Sequence, residues 1–306
     1  MRKPNLFIIG APKCGTTALS EYLREHPAVF VTQPKEPHFF SKDFPYYYSP
    51  GHATLDHYLR LYEDAGPEHL AVCEASVWYL YSQVAAEEII GFAPDARIIV
   101  MVRNPVEMMP SLHSQMLFVQ DEDRPDPKAA WTCRRSAATD VRFPPCRVPA
   151  FLQYGDACSL GAQVERLFAT VPREQVKVIV FDDFRRDPLG VWREVLDFAG
   201  LPDDGRTEFP VVNANKRHRN ATIARFSQRP PAPLVAASRL VKRLTGRSRL
   251  GVLRWLKDRN RTVGERTAIS PSSLANSRTT SRTTSRCSAA CWIVTSRLGE
   301  LTDPRV

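Results

Sequence analysis

Eight residues near the start of the chain, Gly10-Ala11-Pro12-Lys13-Cys14-Gly15-Thr16-Thr17, have the spacing of an anion-binding turn. A glycine, four intervening residues and a second glycine with two threonines stand between an apolar run and a helical pattern. That order aims backbone N–H groups and the positive end of a helix at one point. Gly15 lets the main chain approach whatever sits there. In loops that bind nucleoside triphosphates, a lysine follows the second glycine and reaches the outer phosphates. Here Thr16 takes that place, and the lysine, Lys13, lies inside the loop. The spacing suits an anion held close to the loop, with no third phosphate to grip and no magnesium clamp.

A second set of anion-binding side chains follows another apolar run. Arg103 closes the segment Arg97 to Arg103, and the carboxyl ends of such strands are where crevices open in α/β sheets. Ser111 comes seven residues after Asn104, two helical turns on, so it can face the same side. Arginine brings paired donors and serine one more. A third basic run, Lys216-Arg217-His218-Arg219, follows Asn213-Ala214-Asn215.

Taken together, these residues carry a family resemblance. Pro12-Lys13-Cys14-Gly15-Thr16-Thr17-Ala18-Leu19 resembles the 5′-phosphosulfate loop of sulfotransferases that use 3′-phosphoadenosine 5′-phosphosulfate (PAPS). Arg103-Asn104-Pro105 with Ser111 resembles that family's 3′-phosphate motif. The likeness runs through Tyr154, Gln163-Val164-Glu165-Arg166, Phe181-Asp182-Asp183-Phe184 and Asp187-Pro188, and so spans roughly residues 4–225. It is nearest to bacterial members similar to the heparan sulfate sulfotransferases.

The resemblance implies a P-loop-like three-layer α/β fold, with a central, mostly parallel sheet flanked by helices. It implies sulfuryl transfer from PAPS as co-substrate, without a metal, to a carbohydrate, glycolipid or small-molecule acceptor. Lys13, Cys14, Gly15, Thr16, Thr17 and Ala18 would hold the donor's 5′ end, with Lys13 neutralising charge on the oxygen that bridges phosphorus and sulfur. Arg103 and Ser111 would hold the 3′-phosphate, joined by Lys216, Arg217 or Arg219. Lys35-Glu36-Pro37-His38-Phe39-Phe40 resembles the segment of heparan-type enzymes in which the glutamate deprotonates the acceptor and the histidine assists. Glu36 and His38 are thus the two candidates for the base. Ser41 stands where that branch often has an acid, and Ala75, in Glu74-Ala75-Ser76, where it commonly has a lysine. Trp78, Tyr79, Tyr81, Phe39 and Phe40 are either acceptor-pocket lining or core.

The elements that must position these residues are legible in part. Leu6-Phe7-Ile8-Ile9 reads as a buried strand, and Ala18, Leu19, Tyr22 and Leu23 recur at helical spacing until His26-Pro27. Arg97 to Arg103 and Val176 to Phe181 have the β-branched, apolar character of central strands, and Val72 to Val77 is a further candidate. Asn104 can cap a helix with Pro105 at its first position. Asp187-Pro188 opens another, with Trp192, Val195, Leu196 and Ala199 on one face and Gly200 at its end. Strands alternating with helices predict a largely parallel sheet. Residues 120–150, charged and rich in proline, read as a long excursion beside the acceptor.

The net charge of +9 over 306 residues is unevenly spread. Residues 216–306 hold 20 Lys+Arg against 4 Asp+Glu, while residues 1–215 hold 22 against 29. The predicted catalytic part is therefore acidic overall, which argues against a nucleic-acid partner. It leaves the basic last third as a candidate for peripheral membrane contact. The first apolar run stops at Pro12, too short to span a bilayer, and seven cysteines without metal spacing suit a reducing compartment. Both point to the cytoplasm. A sulfotransferase domain over 1–260 is expected to give way to a Ser/Thr/Arg-rich tail over 261–306 that cannot build a core, through family divergence or an altered reading frame. Two other readings of the loop remain: a nucleotide or small-molecule kinase, and a nucleotide-binding protein without catalysis.

Overall fold

Every residue of the first strand is buried, because β1 (Leu6–Gly10) runs through the middle of a sheet covered on both faces. In chain order there follow α1 (Thr16–Glu25), β2 (Val29–Val31), α2 (Leu55–Arg60), β3 (Ala71–Ala75), α3 (Ala85–Phe92) and β4 (Arg97–Val102). Then come α4 (Pro105–Val119), α5 (Pro127–Thr132), a 3₁₀ turn at Pro149–Leu152, α6 (Tyr154–Ala157) and α7 (Leu160–Thr170). A second 3₁₀ turn at Arg173–Gln175 leads into β5 (Val176–Val180), α8 (Phe181–Arg186) and α9 (Pro188–Ala199). A short ribbon, β6 (Lys216–His218) and β7 (Arg261–Val263), completes the set. The computed structural model describes residues 2–33, 35–44, 54–132, 146–212, 216–218 and 261–263.

The sheet has the order β2-β3-β1-β4-β5, and all of its pairs are parallel. From β1 the chain moves to one side to build β2 and β3, then crosses back to build β4 and β5 on the other. Loops leaving β1 and β4 therefore diverge at their carboxyl ends and open a crevice between them. The register of β1 against β4 slips between Ile8 and Gly10, which turns the end of β1 into the loop. Gly10, at φ 155°, is packed so closely that a Cβ there would lie 2.8 Å from Leu80 Cβ and 2.9 Å from the Val77 carbonyl.

The capping chemistry read from the sequence is present. Asn104 accepts a hydrogen bond from the Val106 N–H with Pro105 opening α4, Asp187 accepts from the Gly190 N–H at the start of α9, and Gly200 ends α9 in the left-handed conformation. Three elements differ from the expectation. Strand β2 is too short, at three residues, to show a period. The expected strand Val176 to Phe181 stops at Val180, because Asp182 and Asp183 in the first turn and Arg185 and Arg186 in the last favour a helix there. Their pairs, Arg186 Nη2 to Asp183 Oδ1 at 2.6 Å and Arg185 Nη2 to Asp182 Oδ1 at 3.4 Å, lie along that helix. The excursion at 120–150 contains α5, while residues 133–145 lie outside the described residues.

Candidate active site

A cleft of about 600 Å³ opens where the crevice was expected, and its wall includes Pro12, Lys13, Gly15, Thr16, Thr17, Ala18, Glu36 and Arg103. The loop after β1 forms its floor. Gly15 caps α1 at φ 93° without a side-chain cap, and the first turn of the helix carries no acid. The N–H groups of Thr16, Thr17 and Ala18 thus have no intrahelical acceptor and carry the positive end of the helix dipole. A Cβ on Gly15 would meet Phe181 Cδ2 at 2.9 Å, so only glycine lets this turn pass beneath α8.

Lys13 sits in the left-handed region at φ 66°, and its Nζ lies 3.4 Å from Gln115 Oε1 on α4. Cys14 is fully buried with its Sγ against the Pro12 carbonyl and Met108. Burial pushes its thiol up to about 12, although the charges of Arg103 and Lys13 pull the other way. Cys14 is therefore a neutral packing group in this loop.

Arg103 follows β4 and is itself nearly buried. Its Nε and Nη2 donate to Glu107 Oε2 at 3.2 and 2.5 Å, and its guanidinium lies 4.7 Å from the centre of the Phe181 ring. The Nη1 edge makes no hydrogen bond among the described residues. Ser111 lies in α4 but is buried, and the α4 residues in the cleft wall are Leu112, Ser114, Gln115, Met116, Phe118 and Val119. Lys216 and Arg217 fall in β6, which pairs with β7 and runs beside α4. Arg219 lies outside the described residues.

Across the cleft, the loop after β2 presents Glu36. Its backbone N–H donates to the Ala75 carbonyl at 3.1 Å, which ties the loop to the end of β3. Glu36 Oε1 accepts from Lys35 Nζ at 3.2 Å, and Oε2 lies 3.2 Å from His38 Nε2. Burial opposes ionisation of this carboxyl, yet the bond from His38 and the charge of Lys35 outweigh it and hold its pKa at about 2. His38 is buried behind Glu36 and does not reach the cleft wall. Among the expected aromatic residues, Trp78 lines the cleft and stacks on Phe151 with ring centres 3.6 Å apart. Tyr79 and Phe40 belong to the core. From the excursion, Asp121 and Arg147 reach the wall as an ion pair, Nε to Oδ1 at 3.0 Å.

Lys13, Glu36 and His38 share a backbone feature. They are three of the four non-glycine residues with positive φ among the described residues, at 66°, 69° and 56°. Holding an ordinary side chain there costs about 1–2 kcal/mol, and such conformations cluster where geometry serves a site.

Sequence reasoning missed Phe181 as the platform under Arg103, and Gln115 as the partner of Lys13. Gln115 lies one helical turn beyond Ser111, a spacing that could have marked it. Among the described residues, no group of three or more His, Cys, Asp or Glu is placed to hold a metal ion, and no helix is long and apolar enough to cross a membrane.

The fold and cleft define a P-loop-like α/β protein with an uncapped helix terminus beside Lys13, an arginine after the neighbouring strand and a facing carboxylate. The sequence profile of the sulfotransferase domain family matches residues 3–218. A sulfotransferase from Alicyclobacillus acidocaldarius, 32% identical, aligns with a TM-score of 0.57 over 83% of this chain and 100% of its own. Heparan sulfate glucosamine 3-O-sulfotransferase 6 is 34% identical over 233 residues in Homo sapiens and 28% over 232 in Mus musculus, covering 75% of this chain in each case. The chain belongs to the PAPS-dependent sulfotransferase family. It spans 61% of those two relatives and 46% of the murine 3-O-sulfotransferase 3B1.

Proposed function

We propose that this chain transfers a sulfuryl group from PAPS to a hydroxyl or amine of a carbohydrate, glycolipid or small-molecule acceptor, in the cytoplasm. The observation that carries this reading is the convergence in one cleft of the uncapped α1 terminus with Lys13, Arg103 and the ionised Glu36.

The N–H groups of Thr16, Thr17 and Ala18 receive the 5′-phosphosulfate, and Lys13 takes up the charge that builds as the bond between sulfur and the bridging oxygen breaks. Arg103 holds the 3′-phosphate with its Nη1 edge. Ser111 and one of Lys216, Arg217 and Arg219 complete that site; the run of β6 beside α4 supports their nearness. The acceptor oxygen attacks sulfur from the side opposite the leaving phosphate, and its proton passes to Glu36, which His38 and Lys35 hold in place. The acceptor lies against Trp78 and Phe151. The relatives' names specify a glucosamine of heparan sulfate, but Ala75 takes the place of that branch's lysine, which leaves a neutral acceptor well suited here. The sulfotransferase domain occupies residues 1–260, and the basic last third of the chain, from residue 216 on, serves peripheral contact with anionic membrane surfaces.

Thermal shift separates this reading from a kinase. Adenosine 3′,5′-bisphosphate at a hundredfold excess over Kd should stabilise the folded chain by about 2.7 kcal/mol. Preference for ATP with magnesium would overturn the proposal. Transfer of labelled sulfate from PAPS should fall roughly 100- to 1000-fold in Lys13→Ala, the loss typical of one removed charge-stabilising donor. Binding of the nucleotide with no turnover in the intact chain would leave a binding protein instead.

A further inference from the structure

Behind the Glu36 loop lies a buried carboxylate that the proposed chemistry does not use. Glu74, in β3, is completely shielded from solvent, and no cation among the described residues forms a hydrogen bond or ion pair with it. Hydroxyl groups surround it instead. Ser76 Oγ donates to Oε1 at 2.8 Å, Tyr58 and Tyr62 donate to Oε2, the latter at 3.3 Å, and Tyr79 bonds the same carboxylate.

Two of these hydroxyls do a second job. Ser76 Oγ accepts the backbone N–H of His38 at 3.2 Å, and the Tyr79 hydroxyl accepts the backbone N–H of Phe40 at 3.2 Å. A hydroxyl has one proton, and a backbone N–H can only donate. Glu74 therefore fixes the direction of both bonds: by taking the hydroxyl protons it turns the oxygen lone pairs toward the loop. That loop contains the two positive-φ residues Glu36 and His38, a conformation that needs support from its surroundings.

We infer that Glu74 is a positioning residue for the reaction, acting through Ser76 and Tyr79 to hold the Glu36–Phe40 loop in the conformation that presents Glu36 to the cleft. This rests on Glu36 as the base proposed above. A carboxamide in place of Glu74 has the same shape but puts a donor where a hydroxyl must also donate, so at least one of the two bonds is lost.

The test uses the full chain with Glu74→Gln, Ser76→Ala and Tyr79→Phe. In each, kcat for sulfate transfer should fall roughly 10- to 100-fold, the loss that goes with displacing a reacting group by about 1 Å. The Kd for adenosine 3′,5′-bisphosphate should stay within about twofold, since its loop belongs to β1 and not to this network. Glu74→Gln combined with Ser76→Ala should be little worse than the weaker single variant, because both cut the same path. A lowered melting temperature with unchanged kcat would show a purely structural carboxylate and overturn the inference. Equal losses in kcat and nucleotide affinity would do the same. Should Glu74→Gln fail to fold, the two single-hydroxyl variants carry the test. Amide exchange at His38 and Phe40 reads the coupling without turnover: it should quicken in the variants, and unchanged exchange would sink the idea. A chain that neither binds the nucleotide nor transfers sulfate would instead defeat the proposed function while leaving the exchange result standing.

Discussion

Replacing Arg103 with alanine should weaken binding of adenosine 3′,5′-bisphosphate far more than binding of adenosine 5′-phosphate, which lacks the 3′ group. In the structure, Nε and Nη2 of Arg103 are engaged by Glu107, and the ring of Phe181 supports the guanidinium plane. On the proposed reading the Nη1 edge, without a hydrogen bond among the described residues, meets the 3′-phosphate with one or two charge-assisted bonds worth about 1.5–3 kcal/mol each. A loss of about 3 kcal/mol corresponds to roughly a hundredfold in Kd. Isothermal titration of the two nucleotides against native chain and variant isolates this contribution, because whatever else the substitution disturbs affects both ligands. The ratio of the two Kd values should shrink by about two orders of magnitude in Arg103→Ala. Arg103→Lys should recover only part of it, since an ammonium lacks the fork that lets Glu107 and a phosphate share one group. If both nucleotides lose affinity equally, Arg103 is a structural arginine paired with Glu107, and the 3′-phosphate assignment fails.

Two further outcomes follow from the site. Gly15→Ala should lower stability by about 1–3 kcal/mol, read from the urea midpoint, since φ 93° and a Cβ 2.9 Å from Phe181 compound each other. Its loss of nucleotide affinity should exceed that of an alanine placed elsewhere in α1. His38→Gln should raise the Glu36 pKa from about 2 toward its ordinary 4.5 and bring an acid limb into the profile of kcat/KM against pH that the native chain lacks in that range. The sign for stability agrees: a carboxyl depressed in the folded state adds stability above its unfolded value of 4.5 and loses it as pH falls toward about 2. An unshifted acid limb in His38→Gln would show that the 3.2 Å contact does not tune Glu36.

What the sequence revealed of this fold depended on the length and chemistry of each signal. Strand β1 announced itself as a short apolar run ending in glycine and β4 and β5 as β-branched runs of five or six residues, and the caps Asn104, Asp187 and Gly200 marked helix ends, because a local side-chain bond or a left-handed turn fixes them. Strand β2 escaped notice because three residues carry no period, and its place at the sheet edge is set by pairing with β3. At the site, Lys13, Gly15 and Arg103 could be read from spacing along the chain. Phe181 could not, since its ring reaches Gly15 and Arg103 only after β5 has docked beside β4. Nor could Glu74, which looks like any strand carboxylate until three tyrosines close around it.

The adjacency of β1 and β4 has a bearing on which donors this protein can use. The turn after β1 and the arginine after β4 hang from neighbouring strands, further laced by the Ala11 N–H to Met101 carbonyl bond at 2.7 Å. Neighbouring strands lie about 4.8 Å apart, a spacing fixed by main-chain hydrogen bonding and indifferent to side-chain identity. On the proposed reading, the sheet thus works as a caliper for the two ends of the nucleotide. Substitutions at Lys13, Arg103 or Phe181 change how firmly each end is gripped, but the opening of the jaws is set by the backbone. On that reading, a donor with its two anionic groups much farther apart would fit this pair of strands less well.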